Sequence, residues 1–211
     1  MNQVPEQDAV AFRGKGSGGP HGLLVLAFVG VGMLAGILFL AWLGSPRTEP
    51  AIGKPVGRLD LRPLVYADQP FSEQDLTGKI TVLHFWGTWC PPCLLEFPEF
   101  AKVAREFKGN AQVQFVSVST TQGPEYKLEA LAAATREFME QHGADVPTYA
   151  DPAGMSRIQI GLLLPGGALP YPCTFVVDQH GLVAGVWIGF TPEGMHEMAT
   201  KVKSLLESDR K

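Results

Sequence analysis

Two cysteines three residues apart, Cys90 and Cys93, are the side chains of this sequence best suited to chemistry. They lie in the run Trp86-Gly87-Thr88-Trp89-Cys90-Pro91-Pro92-Cys93. Residues i and i+3 of a helix are surface neighbours, so two such sulfurs close a disulfide with little backbone movement. With Cys90 at or near the N-cap, the helix dipole and the unpaired N–H groups of the first turn favour its thiolate, the form that attacks disulfides. Pro91 suits the first helical position, whose N–H has no helical partner in any case. Pro91 and Pro92 together also remove two donors that could point at the sulfur. The anion then depends on the N–H groups of Cys93 and Leu94 and on the dipole. The expected pKa is only mildly lowered, which suits a reductant better than a strong oxidant.

The neighbouring residues supply the elements that hold this pair. Ile80, Val82, Leu83 and Phe85 make a short apolar run before it, the pattern of a buried strand. Leu94, Leu95, Phe97, Phe100, Val103, Ala104 and Phe107 follow at helical spacing, and Gly109 after Lys108 is a helix stop. The cysteines thus stand where a strand hands over to a helix. A structural zinc site would need about four ligands. Only Cys173 remains, no histidine pair has suitable spacing, and neither a metal nor a cofactor is expected.

The 211 residues allow one domain of ordinary size with extra segments. A net charge of −4 shows no basic footprint for nucleic acid. Three cysteines, two of them in the motif, do not make a disulfide-stapled scaffold. Residues 1–21 are polar and glycine-rich and read as a disordered tail. Residues 22–43 carry no charge, with Trp42 near the far edge, and are long enough to span a bilayer as a helix. A cleaved signal peptide is the competing reading, but its apolar region is shorter, about 7–15 residues, and ends in small residues. Arg13 and Lys15 precede the span while Arg47, Lys54 and Arg58 follow it, so charge leaves the orientation open. Residues 44–57, with Pro46, Pro50 and Pro55, read as a linker. The domain is then 58–211.

Within that domain, Leu59 to Val65 reads as an edge strand because of Pro63. Val113 to Val118 is a further strand and Leu128 to His142 a helix stopped by Gly143. Ile158 to Leu164 is a short helix. Thr174 to Asp178 and Leu182 to Ile188 form a hairpin across Gln179-His180-Gly181, and a last helix runs from Pro192 to about Leu206. The order β-β-α-β-α-β-β-α is that of an α/β fold, a central mixed sheet flanked by helices.

The apolar N-terminal segment, the Phe85-Trp86-x-x-Trp89-Cys90-Pro-Pro-Cys93 element, Glu96-Phe97-Pro98 and Pro172-Cys173-Thr174-Phe175-Val176-Val177-Asp178 together resemble the membrane-anchored thioredoxin-like proteins of the TlpA/ResA type. The resemblance covers about 58–207. It implies a thioredoxin-like fold and a domain held outside the cytoplasm, on the periplasmic side of the cytoplasmic membrane. The activity implied is reduction of disulfides in client proteins, such as apocytochromes c or copper-site proteins. Partners would be those clients, a membrane electron donor and the bilayer itself.

The resemblance also gives meaning to single residues. Pro172 aligns with the cis-proline facing the cysteine pair, beside which an extended client can add as a strand. Glu96 would lie beside the active site, as a proton carrier or simply as a first-turn acid complementing the dipole. His84 stands where thioredoxins carry a buried aspartate, either accepting the Cys93 proton or serving as a hydrogen-bonded core residue. Trp86 and Trp89 would supply packing and a flat apolar collar for the client. Two residues depart from the pattern. Cys173, where relatives usually have threonine, is either a small core residue or a third thiol near the pair, and Tyr171 before Pro172 is bulky enough to narrow the client groove. Three rival functions stand beside the reductase: a disulfide-forming oxidase, a thiol peroxidase and a copper-site assembly factor. The last two fit the spacing of these cysteines and histidines poorly.

Overall fold

The computed structural model describes residues 50–123 and 127–208, together with Met33. The expected tail (1–21) and, apart from Met33, the expected membrane span (22–43) lie outside the described residues. Among those described, no helix is long and apolar enough to cross a membrane.

The compact unit formed by Thr48–Lys211 is built on one sheet. Its strands are β1 (Asp60–Val65), β2 (Phe71–Ser72), β3 (Ile80–Trp86), β4 (Val113–Ser119), β5 (Thr148–Ala150), β6 (Cys173–Val177) and β7 (Val183–Ile188). Its helices are α1 (Pro91–Glu106), α2 (Leu128–Gln141), α3 (Met155–Gly161) and α4 (Pro192–Ser208), with a 3-10 turn at Glu73–Leu76. The spatial order is β2-β1-β5-β4-β3-β6-β7. Strand β3 runs parallel to β4 and antiparallel to β6, so the sheet is mixed and β3 lies inside it.

Every residue of β3 is buried, which is why it is mostly apolar, with only Thr81 and His84 polar, rather than alternating apolar and polar. Its side chains alternate between two cores. Ile80, Val82 and Trp86 join Phe97 and Phe100 of α1 and Met198 and Val202 of α4 on one face. Leu83 and Phe85 join Phe175, Leu61 and Ile160 on the other. His84, in register with Thr174, points to the α1 side and stacks on Phe100 at 4.3 Å between ring centres.

Three details differ from the sequence reading. Residues expected to be linker belong to the domain: Gly53 N–H donates to Val183 O (2.8 Å), Val183 N–H donates to Lys54 O (2.9 Å), and Ala51 and Val56 are buried. Pro55 bridges to Leu182 at the start of β7, so this stretch adds to a sheet edge, a place that tolerates a proline. The domain therefore begins near residue 50 instead of 58. Strand β1 is one place in from the edge, flanked by β2 and β5, with a register irregularity between Pro63 and Val65. Strands β2 and β5, of two and three residues, are too short to leave a periodic signal.

Candidate active site

Cys90 is the N-cap of α1, in extended backbone conformation, and Cys93 lies in the first helical turn. The two are joined as a disulfide with Cα atoms 5.2 Å apart. Cys93 is fully buried and Cys90 is 3% exposed, so the N-terminal sulfur is the one open to attack. Pro91 and Pro92 occupy N1 and N2 and have no N–H. The next two donors, Cys93 N–H and Leu94 N–H, both go to the Cys90 carbonyl oxygen, at 3.0 and 3.2 Å. The sequence reading assigned these two groups to the sulfur. In the disulfide form they are spent on the backbone, which leaves the dipole as the main support for a Cys90 anion.

The mouth of the site is made by Trp89 and Tyr171. Trp89 Nε1–H donates to Thr120 O (2.8 Å), and the indole meets the Tyr171 ring edge-on at 5.3 Å. Thr120, just past the end of β4, is itself fixed by donating both N–H and Oγ1–H to Trp86 O, each at 2.9 Å. Gly87 leaves room for this arrangement, since a Cβ there would lie 2.3 Å from Trp89 Nε1. The Tyr171–Pro172 peptide bond is cis, as the resemblance implied. Cys173 pairs with Phe85, so Pro172 arrives level with the end of β3 where the motif begins. Burial pushes the Tyr171 phenol pKa up.

Trp86 does not join the collar. It is wholly buried, donates Nε1–H to Ser117 Oγ (2.7 Å) and packs on Phe97 at 4.0 Å. As the last residue of β3 it faces inward, whereas Trp89, three residues later, has left the strand.

Below this mouth lie two buried ionisable groups. Glu96, one turn beyond Cys93, is 1% exposed, and burial raises its carboxyl to about 8. The surface role of a first-turn acid is thereby ruled out for it. His84 is fully buried, and burial lowers its imidazole to about 3. At neutral pH both groups are therefore uncharged. His84 Nδ1 lies 2.9 Å from Thr174 Oγ1, while His84 Nε2 and Glu96 Oε2 face one another at 3.8 Å without a hydrogen-bond partner.

Cys173 takes no part in the disulfide. It is fully buried with Phe85, Phe175 and Val177 on the sheet face opposite Cys90 and Cys93. This matches the core-residue reading and puts it in a different core cluster from the reactive pair. Thr120 and Thr174 are the supporting residues that sequence reasoning did not find. Their roles depend on strand register, which no local pattern reveals.

The chain belongs to the AhpC/TSA family, whose model matches residues 52–186. It is similar to the thiol-disulfide oxidoreductase ResA of Bacillus subtilis, 33% identical over 130 residues, covering 61% of this chain and 64% of the relative. The match thus spans less than two thirds of that relative's length. It is also similar to the thiol:disulfide interchange protein DsbE of Pseudomonas fluorescens biotype C, 30% identical over 158 residues, 74% of this chain and 78% of the relative. Among solved structures, a putative DsbE from Chlorobium tepidum superposes with a TM-score of 0.58 at 22% identity, over 74% of this chain and 97% of the other, a likeness of fold. The fold is thioredoxin-like. These relatives support the TlpA/ResA-type resemblance and an oxidoreductase of thiols and disulfides.

Proposed function

We propose that the chain is a membrane-tethered thiol-disulfide oxidoreductase that reduces disulfides of client proteins outside the cytoplasm. The observation that carries the activity is the Cys90–Cys93 disulfide at the start of α1, in which Cys90 is the more accessible sulfur, at 3% exposure against none for Cys93. In the reduced protein the Cys90 thiolate attacks a client disulfide. A Cys90–client bond forms and one client sulfur leaves as a thiolate. Cys93 then gives up its proton and attacks Cys90 Sγ. The Cys90–Cys93 bond closes and the second client thiol is released. Two electrons pass to the client, and a dithiol partner at the membrane must restore them.

Glu96 serves as the proton carrier for Cys93. Placed at i+3 on the same helix, it takes the Cys93 proton as the disulfide closes and returns it when the disulfide is opened. The direction of electron flow is supported by the poor anion support at Cys90, because a strong oxidant owes its potential to a stabilised reduced form. The tether is supported by the uncharged stretch 22–43, and the extracytoplasmic placement by the resemblance to the TlpA/ResA type. Apocytochromes c or copper-site proteins are the client classes it suggests.

Insulin-disulfide reduction tests the activity: Cys90→Ala abolishes it, and retained turnover would sink the proposal. Cys93→Ser traps the client as a mixed disulfide on Cys90. Membrane fractionation of the full chain, with protease added from the outer side, tests the placement.

A further inference from the structure

Glu96 and His84 present a buried accounting problem. Two polar atoms, Glu96 Oε2 and His84 Nε2, point at each other across 3.8 Å, too far for a hydrogen bond and with no other partner. The other imidazole nitrogen has Thr174 Oγ1 at 2.9 Å. A neutral imidazole carries one proton, and which nitrogen holds it follows from its neighbours. No second acceptor for the Thr174 hydroxyl proton is found among the described residues. If Thr174 accepted from Nδ1–H, its own proton would be a further buried orphan. If Thr174 donates to Nδ1, that proton is satisfied and the imidazole proton sits on Nε2, aimed at Glu96.

We infer that His84 is a positioning residue for Glu96: its Nε2–H, fixed by Thr174, closes onto the Glu96 carboxylate when Glu96 passes its proton to Cys93. The inference rests on the reading of Glu96 as proton carrier. The step it supports is the opening of the disulfide. A thiolate of the partner dithiol attacks Cys90 Sγ, the Cys90–Cys93 bond breaks, and its electron pair leaves on Cys93 Sγ. Glu96 donates its proton to that sulfur. The resulting carboxylate is buried, and an unpartnered anion there is costly. His84 supplies the charge-assisted bond that makes it tolerable. The 3.8 Å gap belongs to the protonated, disulfide-bonded state, in which the bond is not yet called for.

Other charges are too far out to take this role. On α1, Lys102 pairs with Glu99 and Arg105 reaches Gly143 O, all on the exposed side. Glu193, His196, Glu197 and Lys203 of α4 are exposed as well, and its buried face is Met195, Met198, Ala199 and Val202. Strands β4 and β6 contribute the uncharged Ser117 and Thr174. The pKa directions agree, since desolvation alone raises Glu96 and lowers His84.

The test is NMR of the reduced, isotope-labelled full chain, following the Glu96 carboxyl carbon and the His84 ring nitrogens against pH. In the unsubstituted protein Nε2 carries the proton throughout, and its resonance moves with the Glu96 titration. A bare Nε2, or a resonance indifferent to Glu96, overturns the inference without any variant. In His84→Leu the Glu96 midpoint rises by about one pH unit, the tenfold change expected for loss of one bond to a charged group. His84→Asn, whose amide can donate, recovers most of it. A midpoint unmoved in His84→Leu overturns the role of His84 alone. The pH profile of disulfide opening in Glu96→Gln separates the underlying reading: if it matches the parent, Glu96 carries no proton and both fall.

Discussion

The two prolines at the helix start make a quantitative demand. Backbone donors at N2 and N3 are the ones that reach an N-cap side chain. In this protein N2 is Pro92, and the N3 donor, Cys93 N–H, is already bound to Cys90 O at 3.0 Å. Pro92→Ala returns one N–H to the position facing Cys90 Sγ. A capping bond contributes about 1 kcal/mol, and one to a charged acceptor about twice that. The thiolate gains about 1 kcal/mol more than the thiol, so at 1.36 kcal/mol per unit the Cys90 pKa should fall by roughly 0.7 unit. Stabilising the thiolate stabilises the reduced protein, so the potential becomes more oxidising by up to about 20 mV at pH values above that pKa. Thiolate absorbance against pH reads the first quantity, and equilibration with a glutathione buffer reads the second. Pro91→Ala is the control, because an N–H at N1 does not reach the N-cap side chain and should move both values less. An unchanged or higher Cys90 pKa in Pro92→Ala would show that missing donors do not set the character of this site.

Stability against pH should show a fall on the alkaline side. The folded disulfide form holds the Glu96 proton up to about 8 instead of its ordinary 4.5, so stability declines as pH rises between those values. His84, lowered to about 3 from 6.5, adds the opposite slope between its own two values. The slopes cancel between about 4.5 and 6.5, and above 6.5 the Glu96 decline stands alone. Thermal melts of Glu96→Gln should lose that decline, and a parent protein that keeps its Tm through pH 8 would refute it. Gly87→Ala should break the Trp89 hydrogen bond to Thr120, because its Cβ would lie 2.3 Å from Trp89 Nε1 and 2.9 Å from Thr120 O. Altered Trp fluorescence and slower client reduction would report this, and normal values of both would contradict it. Cys173→Ala should leave insulin reduction intact, because Cys173 packs in the core cluster that does not hold the disulfide, and lost reduction would contradict that placement.

What could be read in advance follows the range over which each signal acts. The α1 helix, strand β3 and the hairpin β6–β7 are contiguous, and their apolar spacing is visible within a dozen residues. The reactive pair was legible for the same reason, as both sulfurs and their prolines lie within four positions. The cis bond at Pro172 came from resemblance, not from any local pattern. Residues 51–56 were misread because prolines mark linkers and sheet edges alike. Only the distant partner, Val183, distinguishes the two. Trp86 and Trp89 looked equivalent in the motif, yet one closes a strand and the other has left it. The burial of Glu96 was equally hidden, since a carboxylate near the start of a helix is ordinarily at the surface.

The third thiol shows how much rests on register. Side chains on β6 alternate, so Thr174 faces His84 and α1 while Cys173 and Phe175 face the other core. A slip of one residue would exchange the two faces and put a thiol, not a hydroxyl, against His84 on the disulfide side. The hairpin that follows sets the count. Asp178 Oδ1 accepts from His180 N–H (2.9 Å) and Leu182 N–H (3.0 Å), and Asp178 N–H donates to Leu182 O (2.8 Å), so the turn has one length. The irregularity between Val176 and Val177 absorbs the mismatch with β7 at the far end from the site. The pairing of β6 with β3 is continuous from Thr81 with Val177 to Phe85 with Cys173. A turn at the far end of β6 from the disulfide therefore helps decide that a histidine–threonine pair, and not a third thiol, stands on the disulfide side of the sheet.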